Sequence, residues 1–268
     1  LEDLYRRTQR ALGGAQPNVD AETETRKTEA RQLLALHAML PGAEDALWKT
    51  LDLSYFARHE PTDIAWHARA LNRKVDTTLP VVSARVSPLG EGLQVLVYSP
   101  DRADLFARIC GYFDGAQFSI LDARIHTTSA GYALDTFQVI APHLERQAPD
   151  AYRDLIALVE SQLALALGSQ SSLPEPSRGR LSRRVRSFPV TPRVTLRPDE
   201  RAQRWLLSVS ASDRSGLLYA IARVLARHQV NLQLAKVSTL GERVEDTFLI
   251  DGPALRHART QIEIESQI

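Results

Sequence analysis

A single cysteine in 268 residues, Cys110, leaves no partner for an internal disulfide and no thiolate cluster for a metal. That usage fits a reducing compartment and reads as cytoplasmic. No apolar run approaches the roughly 18 residues that a membrane-spanning helix needs, and no charged-then-apolar leader opens the chain, so neither a membrane span nor secretion is expected. Catalytic signatures are missing as well. There is no G-x-x-x-x-G-K-[ST] and no G-x-S-x-G, and Gly90-Glu91-Gly92 fails as a dinucleotide turn because Val95 stands where the third glycine belongs. The seven histidines include no H-x-x-x-H or H-E-x-x-H pair and no His-Asp dipeptide, so metal-ligand spacing is missing, and His59 and His67 read as structural. Cys110 reads as a core residue on the apolar side of a helix. The chain opens on Leu1 rather than Met, which reads as a piece of a longer protein.

What is there is the composition of a globular protein, 44% hydrophobic and 24% charged, of a length that suggests about two domains. The net charge of +1 hides an asymmetry. Between Arg178 and Arg204 nine arginines face only Asp199 and Glu200, directly after the Ser/Pro/Gly-containing stretch Gly168–Gly179. A basic segment of this kind suits nucleic acid or an acidic protein surface. With Phe188 as its one aromatic it lacks the stacking residues of a single-strand binder, and a solvated linker is the simpler reading.

Residues 1–78 read as helical, with apolar spacings of three and four over Leu4–Leu12, Thr25–Leu40, Ala46–Arg58 and Pro61–Leu71. The last is the clearest: Pro61 suits a first turn, Asp63 complements the helix dipole, and Ile64, Ala68 and Leu71 share a face. After Leu79 the period changes to alternation. Strands over Val81–Val86 and Leu93–Tyr98 flank a turn-rich connection. A helix follows over Arg102–Phe113, then strands over Phe118–Thr127 and Tyr132–Ile140, then a helix over Asp150–Leu167. This is an α+β arrangement with helices on one face of an antiparallel sheet.

The second half repeats the first. A shift of 112 positions, falling to 111 at the tip of the second hairpin, gives fourteen identities among positions 80–137, several times the chance level of about 6% per position. They include Asp101/Asp213, Arg102/Arg214, Gln117/Gln229, Thr127/Thr239 and Asp135-Thr136-Phe137/Asp246-Thr247-Phe248. The chain therefore divides into a helical segment at 1–78, a first module at 79–168, a basic linker at 169–190 and a second module at 191–268. Asp135 and Asp246 read as structural, satisfying backbone or hydroxyl donors.

In each module a strand passes through Asp-Arg into a helix, whose first turn carries unpaired N–H groups and can hold a small carboxylate. Gly216 lets a ligand approach that backbone, Asp213 can cap the helix or accept an ammonium group, and Asn231 offers both a donor and an acceptor. A capped helix with no ligand satisfies the same spacing.

Asp213-Arg214-Ser215-Gly216-Leu217-Leu218 followed by Val230-Asn231-Leu232 resembles the ACT domain, a ferredoxin-like module that commonly binds amino acids. Ala235–Phe248, with Gly131–Phe137 in the first copy, resembles the tandem ACT region of the bifunctional uridylyltransferase/uridylyl-removing enzymes that modify the nitrogen-signalling protein PII. Tyr55–Pro61 with Ile64-Ala65-Trp66-His67 resembles the helical segment before it, at the end of the HD-domain region.

The resemblance implies two ACT domains that bind L-glutamine, favouring uridylyl removal over transfer. It also implies pairing of ACT units within or between chains. The family's nucleotidyltransferase motif, which holds Mg2+, and its HD motifs do not occur here, so a regulatory portion without a cofactor of its own is implied, acting on the enzyme's nucleotidyltransferase and HD domains. Carried over by residue, one site falls on Asp213, Arg214, Ser215, Gly216 and Leu217 with Asn231. The other falls on Asp101, Arg102, Ala103, Asp104 and Leu105 with Ser119, where Asp104 replaces the glycine and Ser119 the asparagine. The alternative to a sensor is a docking module for PII or the catalytic domains, working through the basic linker; a nucleic-acid regulator is disfavoured.

Overall fold

The computed structural model describes residues 19–88, 90, 92–141, 149–169, 171–177, 190–199, 204–212, 214–240 and 243–268. The expected helix over Leu4–Leu12 and most of the basic linker lie outside the described residues. The chain divides into two compact units, 1–76 with 128–130 and 77–127 with 131–268.

The first unit contains α1 (Val19–Leu36), α2 (Asp45–Trp48), α3 (Leu53–Arg58) and α4 (Pro61–Ala70). Two sequence expectations change here. The helix expected over Thr25–Leu40 starts earlier and stops at Leu36, with Ala38 turned to a φ of 55°. The helix expected over Ala46–Arg58 is two, because the Asp52 side chain accepts from Tyr55 N at 3.1 Å and caps a fresh start. Arg26 reaches across from α1 and donates to Phe56 O, Ala57 O and His59 O at 3.2, 3.3 and 2.7 Å. It thereby satisfies carbonyls that the end of α3 leaves open. His59 and His67 are fully buried, with Tyr55 Oη 2.6 Å from His67 Nδ1 and His59 Nδ1 2.9 Å from Tyr55 O, in keeping with a packing role.

The second unit holds both repeats. The first is β1 (Val81–Val86), β2 (Leu93–Pro100), α5 (Leu105–Gly115), β3 (Ser119–Arg124), β4 (Tyr132–Ile140) and α6 (Pro149–Gly168). The second is β5 (Arg193–Pro198), β6 (Trp205–Ser212), α7 (Leu217–Arg227), β7 (Asn231–Lys236), the short β8 (Thr239–Leu240), β9 (Arg243–Asp251), a 3-10 turn at Pro253–Arg256 and α8 (Ala258–Gln267). Both sheets are antiparallel with the same order, β1-β2-β4-β3 and β5-β6-β9-β7, and β8 adds to β9. This is the expected α+β, ACT-like architecture. Helix α5 begins at Leu105 rather than at the expected Arg102, since Asp101–Asp104 is spent on the turn that aims it.

The repeat is physical as well as textual. Register slips at Ile120/Asp122 in β3 and at Leu232/Leu234 in β7, equivalent positions. Gln117 and Gln229 take positive φ, 60° and 52°, past the helix ends. There Phe118 N bonds to Phe113 O at 2.8 Å and Val230 N to Leu225 O at 3.0 Å, the closing bond of a Schellman turn. Asp135 Oδ1 accepts from His126 N at 3.3 Å and Asp246 Oδ1 from Ser238 N at 3.2 Å, so the recurring aspartates do serve backbone donors. Glu160 and Glu265 each accept from an edge-strand amide, Ala84 N and Leu196 N, at 2.7 Å, a correspondence hidden from the sequence shift by the unequal loops.

One apolar core runs through both modules. Helix α5 packs on α7 and edge strand β3 lies beside edge strand β7. Phe106 and Phe248 meet edge to face at 6.4 Å between ring centroids.

Candidate functional site

The turn from β2 into α5 and the start of β7 close on one crevice. It is lined by Asp101, Arg102, Ala103, Leu105, Phe106, Ile125, Thr127, Ala133 and Asp135 of the first module and by Asn231 and Leu232 of the second. Its volume is about 20 Å³, room for roughly one water molecule. Asp101 N donates to Gly131 O at 3.0 Å, and Asp101 Oδ2 accepts from Thr127 Oγ1 at 3.0 Å. Burial pushes the Asp101 carboxyl above its ordinary value and the Asp251 carboxylate adds to the rise, against the hydrogen bonds from Thr127 and the Arg102 backbone. Asp251 is the register partner of Asn231, so a second carboxylate belongs to this corner.

Other residues of the turn are spent on holding it. Arg102 Nη2 donates to Leu167 O at 2.7 Å, at the end of α6, and Arg102 Nε lies 3.1 Å from Asp104 Oδ1. Asp104 Oδ2 accepts from Arg108 Nε at 2.6 Å. The carboxylate that stands where the second module has Gly216 is therefore tied between two arginines.

The other turn, from β6 into α7, borders a separate cleft of about 370 Å³ lined by Arg214, Ser215, Gly216 and Ala220 together with Glu175, Pro176 and Ser177. Gly216 takes a φ of +78°, and a Cβ there would stand 2.7 Å from Ser177 O. Leu217, the first residue of α7, is buried, and Asp213 lies outside the described residues.

The structure thus regroups the expected sites. Asn231 faces the crevice of the Asp101–Leu105 turn rather than joining Arg214–Leu217, and Ser119, exposed at the start of β3, lines neither space. The cause is the side-by-side placement of β3 and β7, which carries the start of β7 past the turn of the other module. Sequence reasoning overlooked Glu175–Ser177, which showed only as a stretch without apolar periodicity, and Thr127, which the repeat had marked through Thr239. Cys110 is buried in the core, as expected. Among the described residues no group of three His, Cys, Asp or Glu is placed to hold a metal ion, and no helix is long and apolar enough to cross a membrane.

Comparison with known proteins places these features. Residues 18–70 match the family described as the uridylyltransferase GlnD fifth domain, and residues 205–265 match the ACT domain. Over its whole length the chain is 60% identical to the bifunctional uridylyltransferase/uridylyl-removing enzyme of Ralstonia nicotianae. It is 55% identical to the enzymes of the same name from Burkholderia thailandensis and Burkholderia mallei. It spans 31% of the length of each of these relatives. Two stretches of the chain thus match the fifth-domain and ACT models, and its whole length is similar to 31% of these bifunctional uridylyltransferase/uridylyl-removing enzymes.

Proposed function

We propose that this chain is the amino-acid-sensing, regulatory portion of a bifunctional uridylyltransferase/uridylyl-removing enzyme acting on PII, with L-glutamine as its effector. The observation that carries the reading is the crevice in which Asn231 of one module meets the Asp101–Leu105 turn of the other. The first turn of α5 supplies N–H groups and dipole charge for an α-carboxylate. Asp101, with Asp251 near it, supplies negative charge for the α-ammonium group. The Asn231 carboxamide can both donate to and accept from the carboxamide of glutamine, a pairing that the carboxylate of glutamate cannot complete.

A space of about 20 Å³ is smaller than an amino acid, so binding requires the modules to part around the crevice. A ligand shifts such an equilibrium by its difference in affinity for the open and closed arrangements. That shift is what would reach the nucleotidyltransferase, with its Mg2+, and the HD domain. Titration calorimetry of the chain with L-glutamine, L-glutamate and buffer tests the reading. Saturable heat with glutamine alone supports it, and equal heats for all three overturn it.

A further inference from the structure

The segment between the modules is fastened from both sides. Ser177 N donates to Asp114 Oδ2 at 2.7 Å and Ser177 Oγ to Asp114 Oδ1 at 2.5 Å, which engages the last turn of α5. On the other side Tyr219 Oη donates to Pro174 O at 2.7 Å, and Arg223 Nη2 bonds Glu175 Oε1 at 2.6 Å, both on α7. Between these points the Ser177 backbone lies so close to Gly216 that any side chain there would meet it. Four residues thus bind two helices of different modules to each other.

We infer that Pro174–Ser177 is a strap that holds the α5–α7 pair in the arrangement whose crevice is closed, so that an amino acid entering at Asp101–Leu105 works against it. This inference rests on the sensing reading above. The link is α5 itself. Leu105, its first residue, lines the crevice, and Asp114, next to its last, holds the strap. A helix of eleven residues is a rod of about 16 Å, so a movement that opens one end is felt at the other.

Tyr219 ties the strap to the same contact, because its ring packs on Gly111 of α5 while its hydroxyl holds Pro174. When the competent arrangement is a fraction of the population, apparent affinity falls by that fraction. The strap's fastenings lower that fraction, and loosening them raises it.

The test uses the full chain, with Asp114→Ala and the milder Tyr219→Phe. Without ligand, hydrogen–deuterium exchange is followed over 174–177 and 214–220; with L-glutamine, affinity is measured by calorimetry. Asp114→Ala is expected to accelerate exchange in both segments together and to tighten glutamine binding about three- to tenfold, with Tyr219→Phe changing both in the same direction by less. Unchanged exchange at 214–220 overturns the strap. Faster exchange with unchanged or weaker binding reduces it to a passive cross-link and overturns the coupling. Absence of glutamine heat in all three proteins overturns the sensing reading instead, and the exchange data then decide the strap alone: joint acceleration upholds it.

Discussion

The ring of Tyr219 stands where a side chain on Gly111 would begin: a Cβ at position 111 would lie 2.8 Å from Tyr219 Cζ and 2.9 Å from Cε2. Helices α5 and α7 pack this closely because one of them presents a bare backbone. Gly111→Ala gains helix propensity of up to about 1 kcal/mol. It is nevertheless expected to destabilise the chain by about 1–3 kcal/mol through overpacking. Gly115→Ala, on the same helix with open space around it, is the control and should be neutral or stabilising. Urea denaturation of both variants checks this, and equal stabilities would contradict the packing argument.

Asn231 and Ser119 occupy equivalent places in the repeat but not in the site. Asn231→Ala is expected to weaken glutamine binding about 5- to 30-fold, the loss of one or two ligand hydrogen bonds, whereas Ser119→Ala should change it less than twofold. Calorimetry of the two variants decides, and the opposite ranking would overturn the assignment of Asn231 to the site.

Asp101 should leave a mark on stability as pH changes. Its carboxyl is raised in the folded state, first by burial and also by Asp251, so the folded chain holds that proton more firmly than the unfolded chain. Its contribution is favourable at pH values below the unfolded carboxyl's ordinary value of 3.8 and is lost as pH rises through the higher folded value. Asp101→Asn should therefore gain stability relative to the parent on going from pH 4 to pH 7, as followed by urea midpoints. A relative loss of stability by Asp101→Asn over that interval would contradict the assignment.

Cys110 is a built-in reporter of the same core. Burial pushes its thiol well above the ordinary range, and the Asp135, Asp246 and Asp114 carboxylates add to the rise. Iodoacetamide at pH 8 should leave the native chain unlabelled over hours and label it on unfolding. Gly111→Ala should raise the native labelling rate several-fold, as read by mass spectrometry; rapid labelling of the parent would show that the core opens without the substitution.

Much of the second unit was legible without coordinates, because its signals are local. The alternation of β1 and β2 and the Asp135 and Asp246 bonds each depend on residues near in sequence or on one hairpin. Repetition doubled the evidence for each. The helical unit was less legible: the single apolar rhythm of Ala46–Arg58 concealed the break at Asp52, since a capping bond from one aspartate outweighs a periodicity that favours continuation.

The sequence by itself determined the repeat, the α+β class and the recurrence of an Asp-Arg pair between strand and helix, all set by spacing along the chain. Only the tertiary structure decided which turn Asn231 serves and what lies over Gly216. Both follow from the packing of β3 beside β7 and of α5 on α7, where residues more than a hundred positions apart exclude water together. No period along the chain records such a contact, because its energy comes from two surfaces that fit and not from the order of residues in either one.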